Sequence, residues 1–179
     1  MTCKVSAWIL SSPKFKNARR LARASSVFVL ITLGISTNAT TRYGTVERVV
    51  DGDTIVFQEI GTEIHRIRLA DIDTPELDQP WGGEAKAALK GWAENRRGEI
   101  RIVDTDRYGR LVATLWIDGE NVNRRLVAKG HAWVYRRYLR DRALPSLEAS
   151  AKASGLGLWS GKYVVEPRVW RRRKLSNTR

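Results

Sequence analysis

The sequence predicts an α+β protein in which short strands form a small closed barrel and about three helices are appended to it. Three observations predict this. Five short β-rich runs are separated by turn residues. Three of these runs precede the first helical segment and two follow it. The later helical segments stop at or near glycines, Gly130 and Gly155.

Taken in order, residues 44–50 and 54–58 are β-rich and flank Asp51-Gly52-Asp53. An Asp-Gly pair between two such runs signals a hairpin. Residues 63–70 alternate His65, Ile67 and Leu69 with Arg66 and Arg68, as a third antiparallel strand does. Pro75 and Pro80 then interrupt the chain. Residues 84–95 carry Ala85, Leu89 and Trp92 at helical spacing. Residues 99–103 and 111–117 read as two more strands, and Asp118-Gly119 is a further turn. Residues 122–129 and 144–153 read as two more helices. Three strands, a helix, two strands and then helices resembles the order of a five-stranded OB-fold barrel.

A length of 179 residues supports one domain with a proper core. The formal charge of +13 suits a polyanionic partner, although basic proteins without nucleic-acid partners are common. Residues 1–39 carry six basic residues and no acidic one, so the remainder holds 26 basic against 19 acidic residues, +7. That N-terminal stretch reads as a secretory signal, with Arg19, Arg20 and Arg23 ahead of a short apolar run at 25–36 and small residues up to Ala39. The expected organisation is a leader or anchor at 1–39, a folded domain at 40–165 and a basic, mobile tail at 166–179. Cys3 is the single cysteine, so the folded domain has no disulfide.

Three constellations carry chemistry. In Asp51-Gly52-Asp53-Thr54, the bland reading is a hairpin with solvated acids; the functional one makes Asp53 a hard oxygen ligand for a divalent cation. In the stretch from Arg66 to Glu76, Asp71 and Asp73 fall on one face of a strand by period two, a like-charge pairing that a cation or an arginine must offset. Strict alternation sets Arg68 on the other face from Asp73, so the strand must bulge or bend for both to serve one site. Pro75 forces Thr74 to be extended, frees its carbonyl as a neutral ligand and aims Glu76 away from the strand. In Asp104-Thr105-Asp106-Arg107-Tyr108-Gly109-Arg110, the bland reading is a polar loop; the functional one places Arg110 to grip a phosphate through two parallel hydrogen bonds.

Together and in this order, VDGDTI, RLADIDTPE and DRYGRLVA resemble the three signature regions of the staphylococcal nuclease family. The resemblance runs from about Gly44 to Trp159. It implies a five-stranded OB barrel with three helices and a calcium-dependent nuclease that acts on DNA and RNA regardless of sugar, leaving 3′-phosphate and 5′-hydroxyl ends. It implies calcium ligands at Asp53, Asp73 and the Thr74 carbonyl, a general base at Glu76 and catalytic arginines at Arg68 and Arg110. Arg107, Tyr108 and Tyr138 match substrate-binding positions, with Arg107 in place of a lysine. The family pattern also departs here: residues 77–83 form a shorter loop, and Arg136 replaces an aromatic, which removes a stacking partner and offers an extra phosphate contact. The resemblance further implies a monomer, and the leader implies a secreted or periplasmic protein. The alternatives are a noncatalytic nucleic-acid-binding OB module and a protein anchored in a membrane through residues 25–36. Retention of Asp53, Asp73 and Glu76 favours catalysis, because a pure binder of polyanions has no use for them.

Overall fold

The computed structural model describes residues 40–61, 63–162 and 164–177. The leader expected over residues 1–39 and the anchor at 25–36 lie outside them. The elements are β1 (Thr40–Val49), β2 (Thr54–Glu59), β3 (Ile64–Leu69), β4 (Ile72–Asp73), α1 (Gly82–Ala93), β5 (Arg97–Thr105), β6 (Leu111–Ile117), β7 (Glu120–Asn121), α2 (Val122–Ala128), β8 (Trp133–Val134), α3 (Leu144–Ala153) and α4 (Pro167–Asn177). Short 3-10 turns occupy Arg136–Tyr138 and Gly157–Ser160.

Five of the strands close into a barrel in the order β3-β2-β1-β5-β6. Neighbours along that order are antiparallel, and the parallel pair β3–β6 closes it, with Ile67 opposite Leu111 and Leu69 opposite Ala113. β1 serves two partners: Thr40–Thr45 pairs with β5 and Gly44–Val49 with β2. A register shift between Val46 and Arg48 bends β1 from one to the other. The expected OB-type barrel is therefore present, with four α-helices among the described residues where about three were expected.

Alternation along each strand decides what fills the barrel. Ile55 and Phe57 of β2, Ile67 and Leu69 of β3, and Ala113 and Leu115 of β6 are buried, while Arg66 and Arg68 face away. Leu89 of α1 and Leu126 of α2 join the same core. Each such large apolar side chain contributes about 1.5–3 kcal/mol on burial.

Helix boundaries follow local chemistry. Asn121 caps α2, its side chain accepting from the Arg124 N–H at 3.0 Å. α1 begins at Gly82, two residues before the expected start, because Gly82 and Gly83 carry no helix signal of their own. Gly82 is needed for space: a Cβ there would lie 1.9 Å from the Glu76 carbonyl oxygen. The arginine-rich end, expected as a mobile tail, forms helix α4, opened by Pro167 in the first turn.

One buried side chain ties the barrel to the loop beyond β3. Asn123 accepts from the Leu115 N–H at 3.0 Å and donates to the Ala70 carbonyl at 2.9 Å. Asn123→Ala leaves both backbone groups unpaired, so urea titration should show a loss of about 1–3 kcal/mol. An unchanged midpoint and slope would remove Asn123 from this role.

Candidate active site

The functional residues gather at the end of the barrel where β1 turns into β2 and β5 into β6. In the first turn, the Val50 and Asp51 N–H groups both reach the Thr54 carbonyl, and Asp51 Oδ1 accepts from the Asp53 N–H at 3.0 Å. This hairpin buries the Asp53 carboxylate. It accepts from the Thr74 N–H at 3.1 Å and from the Thr54 hydroxyl at 3.2 Å, and it forms an ion pair with Arg68.

The required bend between Arg68 and Asp73 is at Asp71. Its φ of 64° lies in the left-handed region and separates β3 from β4. The turn brings Arg68 Nη2 to 3.0 Å from Asp73 Oδ1 and 3.2 Å from the Ile72 carbonyl. It also corrects the expectation that Asp71 and Asp73 share a face. Asp71 turns the other way, its Oδ2 accepting from the Asp141 N–H at 3.0 Å and its carbonyl from the Tyr135 N–H at 2.8 Å. Asp71 is therefore a bend residue and Asp73 the site carboxylate.

Thr74 precedes Pro75 and Glu76 follows it, where two successive turns begin. The Gln79 N–H donates to the Glu76 carbonyl and the Gly82 N–H to the Gln79 carbonyl, each at 2.9 Å. The Glu76 N–H donates to the Gln79 side chain at 3.2 Å. Glu76 thus has a fixed backbone and a partly exposed carboxylate at the mouth of the site. Trp81, at φ 74°, supports the loop by donating Nε1–H to His131 Nδ1 at 3.2 Å, with the two rings stacked.

In the β5–β6 loop Asp106 is the organiser. Its Oδ1 accepts from the Tyr108 and Arg110 N–H groups, while its Oδ2 holds the Arg110 guanidinium at 2.8 Å from Nε and 2.7 Å from Nη2. Gly109 takes φ 77° at this tight turn. Arg110 Nη1 lies 3.5 Å from the Thr54 hydroxyl, which in turn donates to Asp53. Nothing in the spacing singled out Asp106; the signal was its position at the start of a tight turn before an arginine.

The residues expected on the substrate side are more dispersed. Arg107 lies over the exposed Tyr108 ring, and its Nη2 is 2.6 Å from the Tyr108 hydroxyl. Tyr138 is exposed and packs with Tyr135 and Arg137. Arg136 pairs with the buried Glu148 at 2.6 Å while its side chain stays exposed.

Electrostatics match this geometry. Burial works to raise the Asp53 carboxyl, but the Arg68 charge and the Thr74 N–H hold it below the usual range. Burial raises Asp73, with Arg171 opposing, and burial together with Asp53 raises Asp51. Burial also opposes the charge on Arg68, yet Asp53 and Asp73 push its guanidinium up, so it stays cationic.

The sequence reading missed Arg171 of α4. Its guanidinium meets Asp73 Oδ2 at 2.9 Å and Glu76 Oε1 at 2.5 Å. A cation thus already stands against these carboxylates, and the hard oxygen donors of Asp53, Asp73 and Thr74 fit a divalent ion of the calcium type. A second acidic group, Glu59, Glu63 and His65, lies at the opposite end of β2 and β3, where Arg42 Nη1 already contacts all three side chains. A concavity of about 990 Å³ at that end, lined by Tyr43, Arg101 and Trp116 among others, holds none of the site residues.

Barrel and site together define a phosphodiester-hydrolysing nuclease of the OB-barrel class. The chain belongs to the staphylococcal nuclease homologue family, whose model matches residues 66–161. It is 41% identical over 140 residues to "Protein ParB" of Escherichia coli, covering 72% of this chain and 78% of that one. It is 39% identical over 133 residues to an "Uncharacterized endonuclease" of Escherichia coli O157:H7, covering 74% and 86%. It is 33% identical over 168 residues to the "Micrococcal nuclease" of Shigella flexneri, covering 88% and 95%. Among the described residues, no helix is long and apolar enough to cross a membrane.

Burial depresses the His131 basicity, with Glu84 opposing, so the imidazole stays neutral and accepts from Trp81. The folded pKa is below the unfolded one, so the unfolded chain binds more protons at mildly acidic pH. This contribution to stability is complete above about pH 6.5 and is lost as pH falls through the folded value. Thermal melts across that range should show the decline, and His131→Gln should flatten it. A parallel decline in His131→Gln would assign the pH dependence to other groups.

Proposed function

We propose that this nuclease hydrolyses DNA and RNA with one bound calcium ion and leaves 3′-phosphate and 5′-hydroxyl ends. The observation that carries the reading is the convergence of Asp53, Asp73, Arg68 and Arg110 on one end of the barrel, with Glu76 at its mouth. Asp53, Asp73 and the Thr74 carbonyl are the residues that hold the ion, which when bound supplies Lewis acidity to a phosphoryl oxygen. Glu76, fixed by its backbone and open to solvent, orients a water and takes its proton. Arg68 and Arg110 are guanidiniums prepositioned by carboxylates, Arg68 by Asp53 and Asp73 and Arg110 by Asp106. As charge grows on the phosphoryl oxygens, their N–H groups stabilise it without reorganising first.

Arg107, Tyr108 and Tyr138 contribute exposed charge and aromatic surface for the strand on either side of the cut. Gripping phosphates instead of base edges accounts for action on both sugars. The protein works as a secreted or periplasmic monomer once residues 1–39 are removed. The relative named "Micrococcal nuclease", matched over most of both chains, supports this reading over the noncatalytic binding module.

Cleavage of single-stranded DNA and RNA by the purified protein, with calcium and with chelator, tests the proposal. Calcium-dependent cleavage is expected; tight binding without cleavage in any divalent metal would leave the binding module. Glu76→Ala should lower kcat by ~10²–10⁴ and Arg110→Ala by ~10²–10³, with thermal melts unchanged. Near-normal turnover in either variant would sink the role assigned to it. Asp53→Asn should raise the calcium concentration for half-maximal activity by at least about tenfold. An unshifted calcium curve would place the metal elsewhere.

A further inference from the structure

Helix α4 lays one face against the acidic rim of the site. Arg171 bonds to both Asp73 oxygens, Nη1 at 3.3 Å and Nη2 at 2.9 Å, and to Glu76 Oε1 at 2.5 Å. One turn along, Lys174 reaches Asp78 Oδ2 at 2.6 Å, and the Trp170 Nε1–H donates to Asp78 Oδ1 at 3.2 Å. Lys174 stands four positions after Trp170 and three after Arg171, so both share its face. Gln79 secures the approach to the helix, donating to the Val165 carbonyl at 2.6 Å while accepting from the Glu76 N–H. The rest of α4 carries Arg168, Arg172 and Arg173, exposed and without an ion-pair partner among the described residues.

The docking is mostly a matter of charge. Residues 171–176 are exposed, and Val169 and Trp170 are only half-buried. Contacts of this kind are screened by salt and open to competition from other ions. Arg171 and a divalent cation want the same oxygens. A calcium ion needs carboxylate oxygens at about 2.3–2.6 Å, and Asp73 has Oδ1 engaged by Arg68 and Arg171 and Oδ2 by Arg171. A water on Glu76 Oε1 must likewise displace Arg171.

We infer that α4 is an autoinhibitory latch: when docked, Arg171 keeps Asp73 and Glu76 from a metal ion and a water, and a nucleic-acid strand opens the site by drawing the helix onto its phosphates. Arg168, Arg172 and Arg173 are the handle that the strand takes. By linkage, a strand that releases α4 strengthens metal binding, and metal strengthens strand binding by the same factor. The inference rests on Asp73 as a metal ligand and Glu76 as a catalytic group.

The test measures calcium binding by calorimetry without substrate, in the full chain and in the variants Arg171→Gln and Asp78→Asn. Hydrogen exchange of the α4 amides is followed in parallel, with and without a short oligonucleotide and no metal. Both variants should bind calcium more tightly, by roughly tenfold for a helix docked about nine-tenths of the time. Asp78→Asn is the discriminating variant. It removes a negative charge near the site, so simple electrostatics weakens calcium binding, whereas an opened latch tightens it. Melting curves confirm that both variants fold. The oligonucleotide should speed exchange in α4 of the unsubstituted protein. Unchanged or weaker calcium binding in Asp78→Asn, or exchange indifferent to the oligonucleotide, overturns the latch while leaving the calcium reading in place. Absence of calcium binding in all three proteins overturns the calcium reading and the latch with it.

Discussion

Arg68 is the group on which the active end of the barrel depends. Two largely buried carboxylates, Asp53 from the β1–β2 turn and Asp73 from β4, are brought to one guanidinium. Leaving either acid ionised and unpaired in that position would cost several kcal/mol. The pairing therefore sets local structure as well as charge. Arg68 leaves β3 on the outward face, and only a reversal at Asp71 returns Asp73 to it. The reversal is held in turn by Tyr135 and Asp141, so the segment after β8 braces the bend from outside. Asn123 braces it from the core side through the Ala70 carbonyl.

Much of this was legible in the sequence because it is written in short-range patterns. Period two separated Ile67 and Leu69 of β3 from Arg66 and Arg68, and the Asp-Gly turn marked the first hairpin. The need for a bend between Arg68 and Asp73 followed from alternation alone. Its position at Asp71 did not, because a left-handed aspartate has no distinguishing mark beside other acids. The start of α1 was hidden by the poor helix propensity of Gly82 and Gly83, of which Gly82 is required by its close approach to the Glu76 carbonyl. The pairing of Arg136 with Glu148 left no local signal, because Glu148 lies twelve residues on in α3.

Helix α4 was illegible for a different reason. A segment with Arg171, Arg172, Arg173 and Lys174 in succession has no apolar stripe, and its like charges repel. What orders it is the opposite charge on Asp73, Glu76 and Asp78, 95 to 98 residues earlier. Long-range charge complementarity leaves no periodic trace in either segment. Asp106 is different: its partners, two backbone N–H groups and one guanidinium, all lie within four residues of it.

The closure of the barrel by β3 and β6 also bears on how the chain reaches this state. Ile67 meets Leu111 only after α1 and β5 have been laid down between them. Until then the open edge of β3 is an unpaired strand, available to other chains. Pairings between distant strands assemble slowly, because the loop between them must be ordered before any contact rewards it. Crowded chains that wait at this step are exposed to aggregation. The arginines that alternate along β3, Arg66 and Arg68, put like charge on that edge and discourage two waiting copies from pairing.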